Sequence, residues 1–154
     1  MTNIELIFCK SNNILGAAIG LYTYGEWSHV AIMHAGIIVE ASALHGVRVT
    51  TIENLKNGNS KVVGLTIECQ SSDEGVQSII SAEVGKGYDW GFIFNAFFRI
   101  NVWNDQNAWA CSELGAYIVQ KSGIKLFSES EKNITPTMLY TAVYPISKSS
   151  VVYK

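Results

Sequence analysis

Two short β-type runs flank a tight turn early in the chain, and their pairing restricts how the chain can fold. Residues 28–32 and 36–40 are rich in Val, Ile and Ala, and the turn at 33–36 contains glycine. A connection this short predicts an antiparallel hairpin. His29 begins the first run and Glu40 ends the second, so the hairpin should bring them near each other. Residue parity alone leaves open whether they share a face, because the turn type is not yet known.

Similar patterns elsewhere predict an α+β fold in which a small antiparallel sheet packs against helices. Further strands are predicted at residues 4–9, 46–51, 61–69 and 144–146. Helices are predicted at residues 14–22, from 51, at 71–84, 88–103 and 111–122, and from 136. Glycines at positions 85 and 123 mark two of the helix ends.

Size and composition favour one soluble domain spanning residues 1–154. The chain of 154 residues is 48% hydrophobic and 16% charged, which suits a single core. A net charge of -2 with scattered basic residues gives no reason to expect a nucleic-acid partner. No secretory signal or membrane-spanning run is apparent, and three cysteines without a C-x-x-C pair argue against a disulfide framework. We therefore expect a cytoplasmic protein with no metal or cofactor, and the oligomeric state stays open.

Cys111 lies at the predicted first turn of a helix, where a thiol can become a nucleophile. The pKa of a cysteine falls from about 8.5 to roughly 3.5–7.5 at a helix N-terminus or beside an imidazolium. His29 would take the thiol proton, and Glu40 would orient the imidazole. The unpaired backbone N–H groups of the helix could stabilise an oxyanion. The three residues together predict a cysteine hydrolase.

The other candidate residues have structural interpretations. Cys9 and Cys69 lie in apolar strand-like runs without obvious charged neighbours, which is typical of core cysteines. His34 and His45 are interpreted as turn or surface residues, and Glu113 as a capping group in the first helical turn. The aromatic residues of segment 90–103 suit a core, although part of them could line an apolar pocket.

Four short motifs in order resemble a known superfamily. They lie at residues 27–32, 38–41, 87–89 and 111–114, and the resemblance extends over residues 6–144. Together they resemble the circularly permuted NlpC/P60 families, in particular the YiiX/YaeF-like permuted papain-like amidases, which are related to the lecithin–retinol acyltransferase-like proteins. In these families the histidine strand precedes the cysteine helix, whereas papain-type enzymes place the cysteine first.

The resemblance implies a permuted papain-like fold, with the nucleophile on a helix packed against an antiparallel sheet. It also implies Cys111 as nucleophile, His29 as base and Glu40 as orienter, and Tyr88 as a residue that helps bind the carbonyl oxygen or the substrate. The acyltransferase-like branch usually has histidine as its third polar residue, so glutamate favours the YiiX-like branch.

Three functional hypotheses follow. The first is hydrolysis of an amide bond through a thioester, in a small peptide, a peptidoglycan-derived peptide, an isopeptide or an N-acyl amino acid. The second is lipid ester hydrolysis or acyl transfer with the same triad, suggested by the aromatic segment 90–103. The third is a non-catalytic module that binds peptide or lipid. Many permuted relatives carry secretion signals or lipidation sites, and none is apparent here. This argues against cell-wall murein as a direct substrate, unless the protein is delivered by another route such as lysis.

Overall fold

The described part of the computed structural model comprises residues 1–12, 25–89, 108–128 and 133–154. The predicted helix at 14–22 and nearly all of the predicted helix at 88–103 lie outside these ranges. Within them the chain has the α+β architecture expected from the sequence, with one large antiparallel sheet and four α-helices.

Six strands form the large sheet. They are β1 (Thr2–Ser11), β2 (His29–His34), β3 (Ile37–Ser42), β4 (Gly46–Thr50), β5 (Asn59–Cys69) and β8 (Ser149–Val152). Their order is β4-β3-β2-β1-β5-β8, and every neighbouring pair is antiparallel. A second, parallel pair joins β6 (Gly87–Tyr88) to β7 (Ala108–Trp109). The N-terminal strand therefore lies in the interior of the sheet, and the C-terminal strand lies at its edge.

The predicted hairpin forms, and its turn fixes which residues share a face. Ala35 and Gly36 both have positive φ, 49° and 79°, and make the two-residue turn between β2 and β3. Two positive φ values are the signature of the primed turns that match the twist of a hairpin. The resulting register places Glu40 opposite Ala31. His29 lies two residues before Ala31, so His29 and Glu40 are diagonal neighbours on one face of the sheet.

The described ranges contain four α-helices, and three of them begin directly after a Ser or Thr residue. They are α1 (Ile52–Lys56), α2 (Asp73–Glu83), α3 (Cys111–Lys121) and α4 (Pro136–Val143). The hydroxyls of Thr51, Ser72 and Thr135 each accept a backbone N–H of the first turn of α1, α2 and α4. Gly123, with φ of 96°, follows the end of α3 in the left-handed conformation expected of a glycine stop.

The prediction of a strand at residues 144–146 is wrong. Tyr144–Ile146 is a 3-10 helix that continues directly from α4. The last strand is β8, whose four residues are all exposed at the sheet edge. An edge strand with no buried face lacks the alternating apolar pattern by which strands are recognised in a sequence.

Side chains alternate along β1 between two separate cores. Leu6 and Phe8 join the main core with α2, α3 and α4, whereas Ile7 and Cys9 join a smaller cluster that includes Leu55 of α1. Among the described residues, no helix combines the length and apolar character needed to cross a membrane.

Gly115 allows α3 to lie close to the sheet. A Cβ atom at this position would come within 3.0 Å of Leu139 on α4 and within 3.4 Å of Leu6 and Val30 on β1 and β2. The helix backbone therefore packs almost directly on the two central strands. This contact brings the N-terminus of α3, and Cys111 with it, to the strand that begins with His29.

Candidate active site

The strand pairing joins His29 and Glu40 directly. Nε2 of His29 lies 2.6 Å from Oε2 of Glu40, and the Glu40 side chain is only 8% exposed. A carboxylate can only accept, so the imidazole N–H donates this hydrogen bond. The diagonal placement on adjacent strands is the physical cause of the contact.

Cys111 is the first residue of α3 and is buried. Its side chain lies beside that of His29, whose pKa it raises. Because Nε2 of the imidazole faces Glu40, Nδ1 is the ring nitrogen left for the thiol. Cys111, His29 and Glu40 are thus neighbours in the fold, and the last two are joined by a hydrogen bond.

Burial and neighbouring charges act in opposite directions on His29. Burial lowers the pKa of the imidazole, but Cys111 and Glu40 raise it by more, and the result is a pKa of about 10. Burial likewise raises the pKa of Glu40, but hydrogen bonds and charges from His29 and Arg48 lower it to about 2. At neutral pH the site therefore holds an imidazolium and a carboxylate.

Arg48 is part of the site, although the sequence did not point to it. Its Nε and Nη2 atoms lie 3.1 Å and 2.9 Å from Oε1 of Glu40. Arg48 lies directly opposite Glu40 in the β3–β4 pair. A cross-strand pair of opposite charges is a recognisable signal only once the register of that pair is known.

Tyr88 lies beside the strand that leads into Cys111. It pairs with Trp109 in the parallel β6–β7 contact, so it belongs to a short strand and not to the start of a helix as predicted. Burial, together with nearby Cys111, Glu113 and Asp89, raises the pKa of the Tyr88 phenol. The phenol therefore stays protonated at neutral pH and keeps an O–H donor near Cys111.

Glu113 secures the N-terminus of α3, as its capping interpretation predicted. It is fully buried, and its two carboxylate oxygens accept the backbone N–H groups of Ala110, at 3.4 Å, and Asn133, at 2.7 Å. Ser112 adds a hydrogen bond of 2.5 Å to the carbonyl of Ile134. Both residues tie the first turn of the cysteine helix to the segment that precedes α4.

A second buried carboxylate holds the strand before Cys111. Nε1 of Trp109 donates to Glu83 at 2.5 Å, and Lys86 forms an ion pair with the same carboxylate at 2.6 Å. Glu83 is 3% exposed and lies at the end of α2. The backbone on both sides of Cys111 is thus fixed by buried hydrogen bonds.

Cys9 and Cys69 are fully buried, as expected. The expectation that Cys9 lacks charged neighbours is wrong, since it lies opposite His29 in the β1–β2 pair. Burial, Glu40 and Cys111 together raise its pKa to about 12, so the Cys9 thiol stays protonated. Burial raises the pKa of Cys69 to about 11.

The two remaining histidines differ in environment. His45 is exposed in the turn between β3 and β4, as predicted. His34 is 3% exposed, so the interpretation as a turn or surface residue is wrong. Its Nδ1 and Nε2 atoms lie 3.1 Å and 3.2 Å from the backbone carbonyls of Asn3 and Asp73. Partners this distant in sequence left no local signal of its burial.

Comparison with known proteins shows similarity in fold. No family model and no curated protein matches the sequence. The crystal structure of the metalloprotein YiiX from Escherichia coli O157:H7 is similar to this one, with a TM-score of 0.64 over 99% of this chain and 96% of that chain. The two sequences are 17% identical. The YiiX-like α+β fold expected from the sequence is confirmed.

The name of YiiX raises the question of a metal site. Within the ranges that the structure describes, no group of three or more His, Cys, Asp or Glu side chains is arranged to hold a metal ion. His29, the nearest imidazole to Cys111, is engaged with Glu40 through Nε2. The described residues therefore do not fit a metal centre at this position.

Proposed function

We propose that this protein is a cysteine hydrolase that cleaves an amide bond through a thioester intermediate. The observation that carries the proposal is the hydrogen bond of 2.6 Å between His29 and Glu40 beside Cys111, the first residue of α3. The YiiX-like fold is compatible with such an activity. The substrate would be a small peptide, a peptidoglycan-derived peptide, an isopeptide or an N-acyl amino acid.

Acylation uses the proton that Cys111 gives to His29. The thiolate attacks the carbonyl carbon, so a C–S bond forms and the carbonyl oxygen becomes an oxyanion. The backbone N–H of Cys111 and the phenol of Tyr88 would donate hydrogen bonds to that oxygen. His29 then returns its proton to the amide nitrogen, the C–N bond breaks, and the amine leaves.

Deacylation follows the same steps, with water as the nucleophile and the thioester as the group attacked. His29 takes a proton from a water molecule, and the resulting hydroxide adds to the thioester carbon. Collapse of the second tetrahedral species breaks the C–S bond and releases the carboxylic acid, and the proton taken from water stays on His29 beside the Cys111 sulphur, as at the start of the cycle. Glu40 keeps Nε2 of the imidazole engaged throughout, so that Nδ1 stays directed at the sulphur.

The proposal is tested by trapping the acyl group. The protein is incubated with a library of peptides, N-acyl amino acids and acyl esters, and Cys111 is examined by peptide-mapping mass spectrometry. We expect an acyl adduct on Cys111 and loss of turnover in Cys111→Ala and His29→Ala, with a milder loss in Glu40→Gln. Cys69→Ala, which removes a buried thiol that the mechanism does not use, is the control and should keep turnover. A Cys111→Ala variant as active as the wild type would exclude the proposal.

The same library separates amide from ester chemistry. The hypothesis of a lipid esterase rests on the aromatic segment 90–103, which lies outside the described residues. Adducts formed only from acyl esters, together with binding to phospholipid vesicles, would replace the amidase proposal with that alternative. Adducts from amides in the absence of lipid would support the amidase.

A further inference from the structure

Glu40 uses its two carboxylate oxygens for two different partners. Oε2 accepts from His29, and Oε1 accepts from both Nε and Nη2 of Arg48. We propose that Arg48 is a positioning residue, whose two-pronged contact fixes the plane of the Glu40 carboxylate and thereby the orientation of the His29 ring. This role rests on the proposed function, because it concerns the base of the same site.

The carboxylate needs a second contact to hold one orientation. The terminal torsion of a glutamate side chain is broad, and a single hydrogen bond to His29 leaves it free to rotate. Two N–H groups of a planar guanidinium restrict that rotation and add charge-assisted hydrogen bonds. With Arg48 in place, the Glu40 side chain is only 8% exposed, so the guanidinium and the imidazole are its main polar partners.

Arg48 is itself held from two sides. Its backbone is directly opposite Glu40 in the β3–β4 pair. Its Nη1 atom lies 3.1 Å from Nδ1 of His45, and the Ser42 hydroxyl lies 3.4 Å from the same ring nitrogen. The turn between β3 and β4 thus supports the guanidinium, and the guanidinium supports the carboxylate. A side chain that only balanced charge would not need these directional contacts.

Charge and orientation can be separated by substitution. Arg48→Met removes both the cation and the fork, whereas Arg48→Lys keeps the cation and loses the planar two-pronged contact. Lys148→Met is the matched control, because it removes a cation from an ion pair with Glu68 on β5 that does not touch the site. If Arg48 acts by orientation, the lysine variant should resemble the methionine variant more than the wild type.

The experiment measures the rate of alkylation of Cys111 by iodoacetamide as a function of pH, with the site of modification identified by peptide mapping. In Arg48→Met we expect alkylation near neutral pH to slow about tenfold, the order of loss that follows removal of a partner that orients a metal-ligating side chain. Arg48→Lys should recover less than half of that loss on a logarithmic scale. Lys148→Met should match the wild type.

Two results would overturn the role of Arg48. One is an Arg48→Met profile equal to that of the wild type; the other is complete recovery in Arg48→Lys, which would leave charge as the only contribution. If Arg48→Met does not fold, the lysine variant decides alone, since a wild-type profile refutes the role and a slowed profile supports it. Alkylation needs no substrate, so these outcomes are independent of whether acyl trapping on Cys111 succeeds.

Discussion

The His29 imidazole is subject to opposing influences that different residues provide. Burial disfavours its charged form, while Cys111 and Glu40 favour it strongly enough to place its pKa at about 10. Of these two favourable influences, that of Cys111 is the larger. The charge state of the base is therefore a property of the assembled site and not of the histidine alone.

Removal of the thiol should lower the pKa of His29. In Cys111→Ala, burial still opposes the charge but the favourable effect of Cys111 is gone, so the pKa should fall well below about 10. The measurement is an NMR titration of the imidazole Cε1–H, with Cys69→Ala as the control that keeps the wild-type value. An unchanged titration in Cys111→Ala would show that the two side chains do not interact.

The helix that carries Cys111 depends on one buried carboxylate at its first turn. Glu113 accepts backbone N–H groups from Ala110 and from Asn133, and so joins α3 to the chain before α4. Glu113→Ala leaves both donors without this partner, and we expect a loss of about 1–3 kcal/mol of unfolding free energy. Urea denaturation measures it, with the exposed first-turn residue Glu53 of α1, changed to Ala, as control. If Glu113→Ala lost no more unfolding free energy than Glu53→Ala, Glu113 would not be what holds the first turn of α3.

The close approach of α3 to the sheet should show in a comparison of two glycines. Alanine at Gly115 would place a methyl group 3.0 Å from Leu139, whereas alanine at Gly75 in α2 has Ser72 and Ser71 as its neighbours within 4 Å. Both changes gain similar helix propensity. Gly115→Ala should therefore be less stable than Gly75→Ala by about 1–3 kcal/mol, the usual cost of overpacking. Equal unfolding free energies would mean that the packing of Leu139, Leu6 and Val30 around position 115 relaxes freely.

The ion pair between His29 and Glu40 should shape the pH dependence of folding. Glu40 has its pKa lowered from 4.5 to about 2, so its contribution is complete above pH 4.5 and is lost as the pH falls through about 2. His29 has its pKa raised from 6.5 to about 10, so its contribution is complete below pH 6.5 and is lost as the pH rises through about 10.

The contributions of Glu40 and His29 to folding stability are both complete between pH 4.5 and 6.5. We expect the difference in unfolding free energy between the wild type and Glu40→Gln to be largest in this window and to shrink on both sides. Urea denaturation at a series of pH values measures the difference. A difference that stays constant with pH would contradict a native ion pair between these side chains.

Local signals were enough to predict much of the architecture. The hairpin follows from its turn and its β-branched runs, and α3 follows from its apolar spacing and its glycine stop. Contacts between distant segments left no such signal. The opposition of Arg48 to Glu40 depends on strand register, and the burial of His34 depends on Asn3 and Asp73. The proximity of Glu40 to His29 was expected from the hairpin, but their shared face required the turn that Ala35 and Gly36 form.

The order of the elements along the chain has a consequence during synthesis. A protein leaves the ribosome with its N-terminus first. The strands β2 and β3, which carry His29 and Glu40, therefore emerge before α3 has been translated. The thiol meets its base only when α3 docks on the strands already made. Under the proposed role, a nascent or truncated chain that ends before Cys111 carries a base and a carboxylate but no nucleophile. Under the same role, hydrolytic capacity would appear only once α3 is complete and has docked.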